Sequence, residues 1–297
     1  MKVIGAHRFL IGAFLSVGIC VLGGCANSLF YHPDEDQYSS PDEDGLRYET
    51  LSFSSSGGPL LHGWWVYPEG EESKGIVLHY HGNAQNLGAH YRFVSWLPQY
   101  GYELMVFDYR GYGRSEGKPN RKGLFEDSLA ALEFAEKRAK RSELPLFVIG
   151  QSLGGANAIV ALGVEQRSEV KGLVVDSAFS SYRSVAKAAL GKSTLGRPLL
   201  LALPTLVSEG LDPIDYVSNI SPTPIAFVHG TADTVVPYEE GRRLEEAAGE
   251  PKYFWTIEGG QHVNALSSNR HIFVPRILEF FQQCLNGEHR ARPVVME

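Results

Sequence analysis

Leu146-Phe147-Val148-Ile149-Gly150-Gln151-Ser152-Leu153-Gly154 is the stretch on which the reading of this chain turns. Its first four residues are a short apolar, β-branched run of strand type, and Leu153 to Leu162, rich in Ala, Leu and Ile, reads as a buried helix. A strand that turns straight into a helix through G-x-S-x-G holds its serine on a sharp, strained elbow with the hydroxyl exposed. The glycines let strand and helix approach closely, and the positive end of the new helix points at the serine. With 32 glycines among 297 residues, the pattern alone is common. Its weight depends on the partners that follow.

A serine becomes a nucleophile only when a base takes its proton and a buried acid orients that base. Both residue types follow at the ends of strand-like runs. Pro224-Ile225-Ala226-Phe227-Val228 leads into His229-Gly230-Thr231-Ala232-Asp233, and Tyr253-Phe254-Trp255-Thr256-Ile257 leads into Glu258-Gly259-Gly260-Gln261-His262. Asp233 is therefore the expected acid and His262 the expected base. The rivals are Asp176, at the end of the run Gly172 to Val175, and His271, which opens the helical run Ile272 to Leu285. Asp212 and Asp215 flank Pro213 and read as turn or cap residues.

Acyl transfer through a serine also needs donors for the oxyanion. The N–H of Leu153, directly after the serine, is one expected donor. The second is expected from the loop after Gly75-Ile76-Val77-Leu78-His79-Tyr80-His81, with Asn83 preferred and Ala84 next to it. His79 and His81 also invite a metal reading, which is set aside because no third ligand follows and no H-E-x-x-H or C-x-x-C motif occurs. No metal and no cofactor are expected.

Four motifs in order, His81-Gly82-Asn83-Ala84-Gln85-Asn86, Phe107-Asp108-Tyr109-Arg110-Gly111-Tyr112-Gly113-Arg114-Ser115, Gly150-Gln151-Ser152-Leu153-Gly154-Gly155 and His229-Gly230-Thr231-Ala232-Asp233, resemble those of α/β-hydrolases. More narrowly, they are similar to HGNA-type serine hydrolases related to serine aminopeptidases and to membrane-associated depalmitoylating thioesterases. The resemblance covers about residues 48–286 and implies serine hydrolysis of an acylated substrate; it does not choose the substrate. Gln261 is a departure, since a further glycine often precedes the histidine in such proteins.

The remaining pattern predicts a mostly parallel, doubly wound α/β sheet with helices on both faces. Tyr48 to Phe53 and Leu60 to Tyr67 form a hairpin signal, with further strands expected at 76–81, 103–108, 146–150, 172–176, 225–229 and 253–257. Helical spacing of Phe125, Leu129, Leu132, Ala135 and Ala139 predicts a helix over 124–140. The leucine-rich stretch 184–210, broken by Pro198 and Pro204, reads either as a small apolar lid over Ser152 or as a crossover helix.

The N-terminus reads as an address. Lys2, His7 and Arg8 precede the apolar run Phe9 to Leu22, which is shorter than the roughly 20 residues of a membrane span. Leu22-Gly23-Gly24-Cys25 resembles a bacterial lipobox, which implies removal of residues 1–24 and lipidation of Cys25. An ordinary signal or short anchor is the alternative. The chain is thus expected to be an extracytoplasmic lipoprotein held at a membrane, at the outer membrane where one exists. Of Cys20, Cys25 and Cys284, only Cys284 then remains free. Residues 25–47, with Pro33-Asp34-Glu35-Asp36 recurring as Pro41-Asp42-Glu43-Asp44, are expected to be a solvated acidic spacer, and 287–297 a tail. A net charge of −7 argues against nucleic acid as a partner. The expected partners are a small ester, thioester or other acylated substrate and, through Cys25, a membrane. Exopeptidase chemistry, with Glu116 or Asp108 holding a free amine, and an idle binding protein on the same fold are the alternatives.

Overall fold

The computed structural model describes residues 30–54, 57–70, 72–191, 210–288 and 294–296. In chain order the strands are β1 (His32–Pro33), β2 (Tyr48–Ser54), β3 (Leu60–Val66), β4 (Gly75–Tyr80), β5 (Ala84–Gln85), β6 (Tyr102–Phe107), β7 (Leu146–Gln151), β8 (Val170–Asp176), β9 (Ile225–Gly230), β10 (Lys252–Ile257) and β11 (Val294–Met296). The helices are α1 (Leu87–Val94), α2 (Arg121–Ser142), α3 (Leu153–Val164), α4 (Tyr182–Gly191), α5 (Tyr238–Ala247) and α6 (Arg270–Asn286).

Nine strands form one sheet in the order β11-β10-β9-β8-β7-β4-β6-β3-β2. Only β3 runs against its neighbours, pairing antiparallel with both β2 and β6; every other pair is parallel. The expected hairpin, the six further strands and the helix over 124–140 are all present, with ends displaced by a few residues. This is the α/β-hydrolase architecture that the motifs imply.

Alternation along the central strands explains why both faces are covered. Ile76, Leu78 and Tyr80 of β4 join one core with Ala131 and Leu132 of α2 and Ile159 of α3. Val77 of β4, Phe147 and Ile149 of β7 and Val174 of β8 join the other, with Tyr91 and Val94 of α1 and Phe273, Ile277 and Phe280 of α6. Central parallel strands buried on both faces read as continuous apolar runs, which is how β4 and β7 appear in the sequence.

At the β7–α3 junction the backbones nearly touch. A Cβ on Gly154 would stand 2.0 Å from the carbonyl oxygen of Tyr80, and one on Gly150 would stand 2.7 Å from Cα of Gly155. The glycines of the elbow are therefore a packing requirement that locks α3 against β4.

Two terminal expectations need correction. The stretch expected as a solvated spacer is packed onto the domain from residue 30 onward: Tyr31 is 4% exposed and Leu46 8%, and β1 pairs in parallel with β5. The apolar residues among the carboxylates, Phe30, Tyr31 and Leu46, anchor it to the two cores. Likewise part of the expected tail, β11, adds a strand beside β10 with Trp255 opposite Val294. Of the stretch 184–210, residues 184–191 belong to α4, and 192–209 lie outside the described residues, as do the expected signal 1–24 and Cys25. Among the described residues no helix is long and apolar enough to cross a membrane.

Gly154→Ala drives a methyl into the Tyr80 carbonyl, and the buried setting leaves no room to relax. It is expected to destabilise the domain by about 3 kcal/mol or more, read as a large drop in thermal midpoint or loss of soluble protein.

Candidate active site

Ser152 follows β7 directly and caps α3 with φ 53° and ψ −117°, a conformation that L-residues rarely adopt. Such backbone typically stores about 1–3 kcal/mol and persists only where the surroundings over-determine it. Here they do. The N–H of Ser152 donates to the carbonyl oxygen of Asp176 across the sheet at 2.8 Å, and the glycine contacts fix the helix behind it. The strain aims the hydroxyl out of the elbow toward the loop after β10.

There it meets His262. The Nε2 of His262 lies 2.9 Å from Ser152 Oγ, and its Nδ1 lies 2.7 Å from Asp233 Oδ2. With the proton on Nδ1, the imidazole donates to Asp233 and accepts from the serine hydroxyl. The fold thus brings together the three residues that sequence reasoning singled out, although Ser152 and His262 are far apart in the chain. The Asp233 and His262 loops approach so closely that a Cβ on Gly230 would stand 2.2 Å from the Gly260 carbonyl oxygen. Ala232 N–H donates to that same oxygen at 2.9 Å.

Asp233 is built to stay ionised. Burial works against the charge. Hydrogen bonds from His229 and His262, the field of His262 and the N–H of Val236 outweigh it, holding the carboxyl well below the usual range. Oδ1 accepts from the N–H groups of Val235 at 2.7 Å and Val236 at 2.9 Å, leaving Oδ2 for His262. The Nε2 of His229 lies 3.0 Å from the Val236 carbonyl oxygen and 3.4 Å from Asp233 Oδ2. Its proton therefore serves the loop that carries the acid. A Cβ on Gly241 of α5 would stand 2.4 Å from His229 Nδ1, so the glycine makes room for the ring.

The rivals occupy other places. Asp176 is fully buried, and burial raises its pKa. It accepts from Ser177 Oγ at 2.9 Å and from Gln151 Nε2 at 3.3 Å. Ser177 Oγ in turn accepts from the N–H of Val263 at 3.1 Å, so Asp176 braces the loop next to His262. His271 is exposed in the first turn of α6.

Asn83 and Leu153 both line a cavity of about 400 Å³ over Ser152. The N–H of Leu153 opens α3, where intrahelical acceptors are lacking. The rest of the lining is mostly apolar, including Phe30, Phe179, Val185, Ala186, Val235 and Val263. Val185 and Ala186, from α4, line the same cavity as Ser152.

His79 and His81 have separate engagements. His79 Nε2 lies 3.1 Å from Gln151 Oε1, and burial pushes its pKa down to about 3. His81 Nδ1 lies 2.7 Å from the Gly82 carbonyl oxygen, and burial holds its pKa well below the usual value. Each ring is thus held by its own partner, at the end of β7 for His79 and in the loop after β4 for His81. Among the described residues there is no group of three metal-ligating side chains.

Several contributors escaped sequence reasoning. His229 and Tyr112 stand inside quoted motifs but were given no role; Tyr112 Oη donates to Asn83 at both the carbonyl oxygen, 2.8 Å, and Oδ1, 2.9 Å. Phe30 and His32 line the cavity from the stretch expected to be a spacer.

Fold and site together define an α/β hydrolase. Residues 71–221 match the family model described as serine aminopeptidase S33, and the chain belongs to that family. It is 31% identical over 269 residues to the uncharacterized protein YfhR of Escherichia coli K12, covering 89% of this chain and 90% of that one. It is 29% identical over 205 residues to the lysophosphatidylserine lipase ABHD12 of Danio rerio, covering 63% of this chain and 51% of that one. Among solved structures, the Pyrococcus furiosus esterase Pf2001 superposes with a TM-score of 0.71 at 21% identity, covering 86% of this chain and 98% of that one, and so shares the fold.

The folded pKa of Asp233 lies below its unfolded value, near 3.9 for a typical aspartate. Its ionised form therefore adds stability that is fully present above about pH 4 to 5 and is lost as pH falls through the folded value. Urea denaturation of wild type and Asp233→Asn should show a stability gap that is constant near neutrality and narrows steadily below about pH 4.

Proposed function

We propose that the protein is a serine hydrolase that cleaves esters or thioesters of apolar acids through an acyl-enzyme, working at a membrane to which Cys25 tethers it. The observation that carries this reading is the continuous hydrogen-bonded chain Ser152–His262–Asp233 at the floor of a mostly apolar cavity.

In this reading Ser152 Oγ attacks the acyl carbon while its proton passes to His262 Nε2. Asp233 stabilises the imidazolium without taking the proton. Charge on the former carbonyl oxygen is met by the N–H groups of Leu153 and Asn83. Collapse expels the alcohol or thiol, which leaves with the proton from His262, and the acyl group stays on Ser152. His262 then deprotonates a water, which attacks the ester and releases the acid.

The apolar lining favours an acyl chain over a polar substituent. A similar protein in Danio rerio carries the name of a lipase. Exopeptidase chemistry would need a carboxylate near the serine to hold a free amine, and no Asp or Glu stands among the described lining residues. Asp108 instead accepts from the N–H of Leu87 at 2.7 Å, and Glu116 from the N–H of Leu60 at 3.1 Å.

The address reading of the N-terminus and the cavity support one another. Phe30 lines the cavity and follows Cys25 by five positions, a maximum reach of about 18 Å for extended chain. A lipid on Cys25 would thus hold the mouth close to the membrane surface, where acylated substrates lie. Proteins of this kind are expected in the extracytoplasmic membrane fraction, and mass spectrometry of that fraction finding unmodified Cys25 would remove the anchor from the proposal.

The test is a series of p-nitrophenyl esters from acetyl to palmitoyl, with an acyl thioester, on wild type and Ser152→Ala. Loss of turnover by about 10⁴-fold or more in the variant, together with fluorophosphonate labelling confined to Ser152, is the expected result. Labelling without turnover on any ester or thioester would redirect the reading to amides. No labelling at all would favour a binding protein.

A further inference from the structure

We propose that the segment Phe30–Asp34 is a positioning and specificity element of the active site, holding the oxyanion loop at 82–86 in place and closing the acyl cavity with the Phe30 ring. The proposal rests on the serine-hydrolase reading above and adds residues that lie ahead of the expected domain boundary.

The loop that carries Asn83 is pinned along its length by this segment. The Asn83 side-chain amide donates to the Phe30 carbonyl oxygen at 2.5 Å. His32 and Pro33 then pair in parallel with Ala84 and Gln85, and the N–H of Asp34 donates to the Gln85 carbonyl oxygen at 3.3 Å. Beyond that, Asn86 Nδ2 donates to Asp34 Oδ1 at 2.9 Å, while Asn86 Oδ1 caps α1 by accepting from the N–H of Gly88. The segment is itself held from the other side, where the N–H of Gly113 donates to the Asp34 carbonyl oxygen at 3.0 Å.

This arrangement has a chemical consequence. An oxyanion donor works only when aimed at the place where charge develops, and a displacement near 1 Å can lower the rate about 100-fold. Gln85 already sits at φ 66°, so the loop follows a path that regular structure would not choose unaided. The two-residue ladder with β1 supplies the missing restraint. Phe30 adds a second function. Its ring packs 5.4 Å from that of Tyr182 in α4 and forms part of the cavity wall, where it limits the room for the acyl group.

The experiment uses the full chain with Asp34→Ala, Phe30→Ala and Phe30→Leu. It measures kcat, KM, thermal midpoint and affinity for an alkyl trifluoromethyl ketone, whose adduct with serine carries the oxyanion. Asp34→Ala is expected to lower kcat about tenfold with KM within about twofold, and to weaken ketone binding in parallel. Phe30→Ala is expected to move the chain-length optimum to longer acids, with Phe30→Leu restoring most of the original preference. Unchanged kcat and ketone affinity in Asp34→Ala would overturn the positioning role, as would a loss of kcat that left ketone binding intact. An unmoved chain-length optimum in Phe30→Ala would overturn the wall. Turnover surviving in Ser152→Ala would instead sink the serine-hydrolase reading itself.

Discussion

The contact on which this molecule depends is the near-collision of backbone at the β7–α3 elbow. Ser152 holds its unfavourable φ where α3 is pressed against the end of β4, and α3 can come so close because Gly154 carries no side chain. The strain is not a local accident. Relaxing it would require lifting a helix whose residues are almost all buried off the sheet. A barrier of that kind turns a weakly favourable orientation of one hydroxyl into a fixed one, which is what a nucleophile needs when its base arrives on a different loop.

Electrostatics then act on a frame that is already set. Two carboxylates, Asp176 at the end of β8 and Asp233 in the loop after β9, are both buried, yet their pKa values are pushed in opposite directions. Asp176 receives hydroxyl and amide donors, and burial dominates. Asp233 receives two backbone N–H groups and faces two histidines, and these outweigh burial. A firmly ionised acid suits the orientation and stabilisation of His262, whereas a carboxyl pushed upward suits a brace.

How much of this was legible in the sequence follows from the range of the interactions. The strands, the elbow and the order serine, acid, base are encoded locally, by alternation, by glycines and by residues at strand ends, and the fold reproduces them. Tyr112, His229 and the Phe30–Asp34 segment were missed because their roles exist only between elements. Nothing near Tyr112 in the chain announces that its hydroxyl will meet Asn83, and the carboxylates after Pro33 read as solvated because composition is averaged over a window. A few apolar anchors, Phe30, Tyr31 and Leu46, were enough to reverse that average. The choice between lid and crossover helix for 184–210 was undecidable in the same way, since it depends on what Val185 and Ala186 face.

The packed N-terminal segment also changes what the boundary of this domain means. A spacer that merely separates an anchor from an enzyme contributes effective concentration and nothing else. A segment that forms cavity wall and loop contacts, beginning five positions after Cys25, cannot move independently of the site. If a lipid occupies Cys25, the reach of about 18 Å from it to Phe30 keeps the face carrying Phe30 and His32 near the bilayer. Attachment and acyl recognition would then be set by the same few residues, so that changes in the segment alter access and chemistry together.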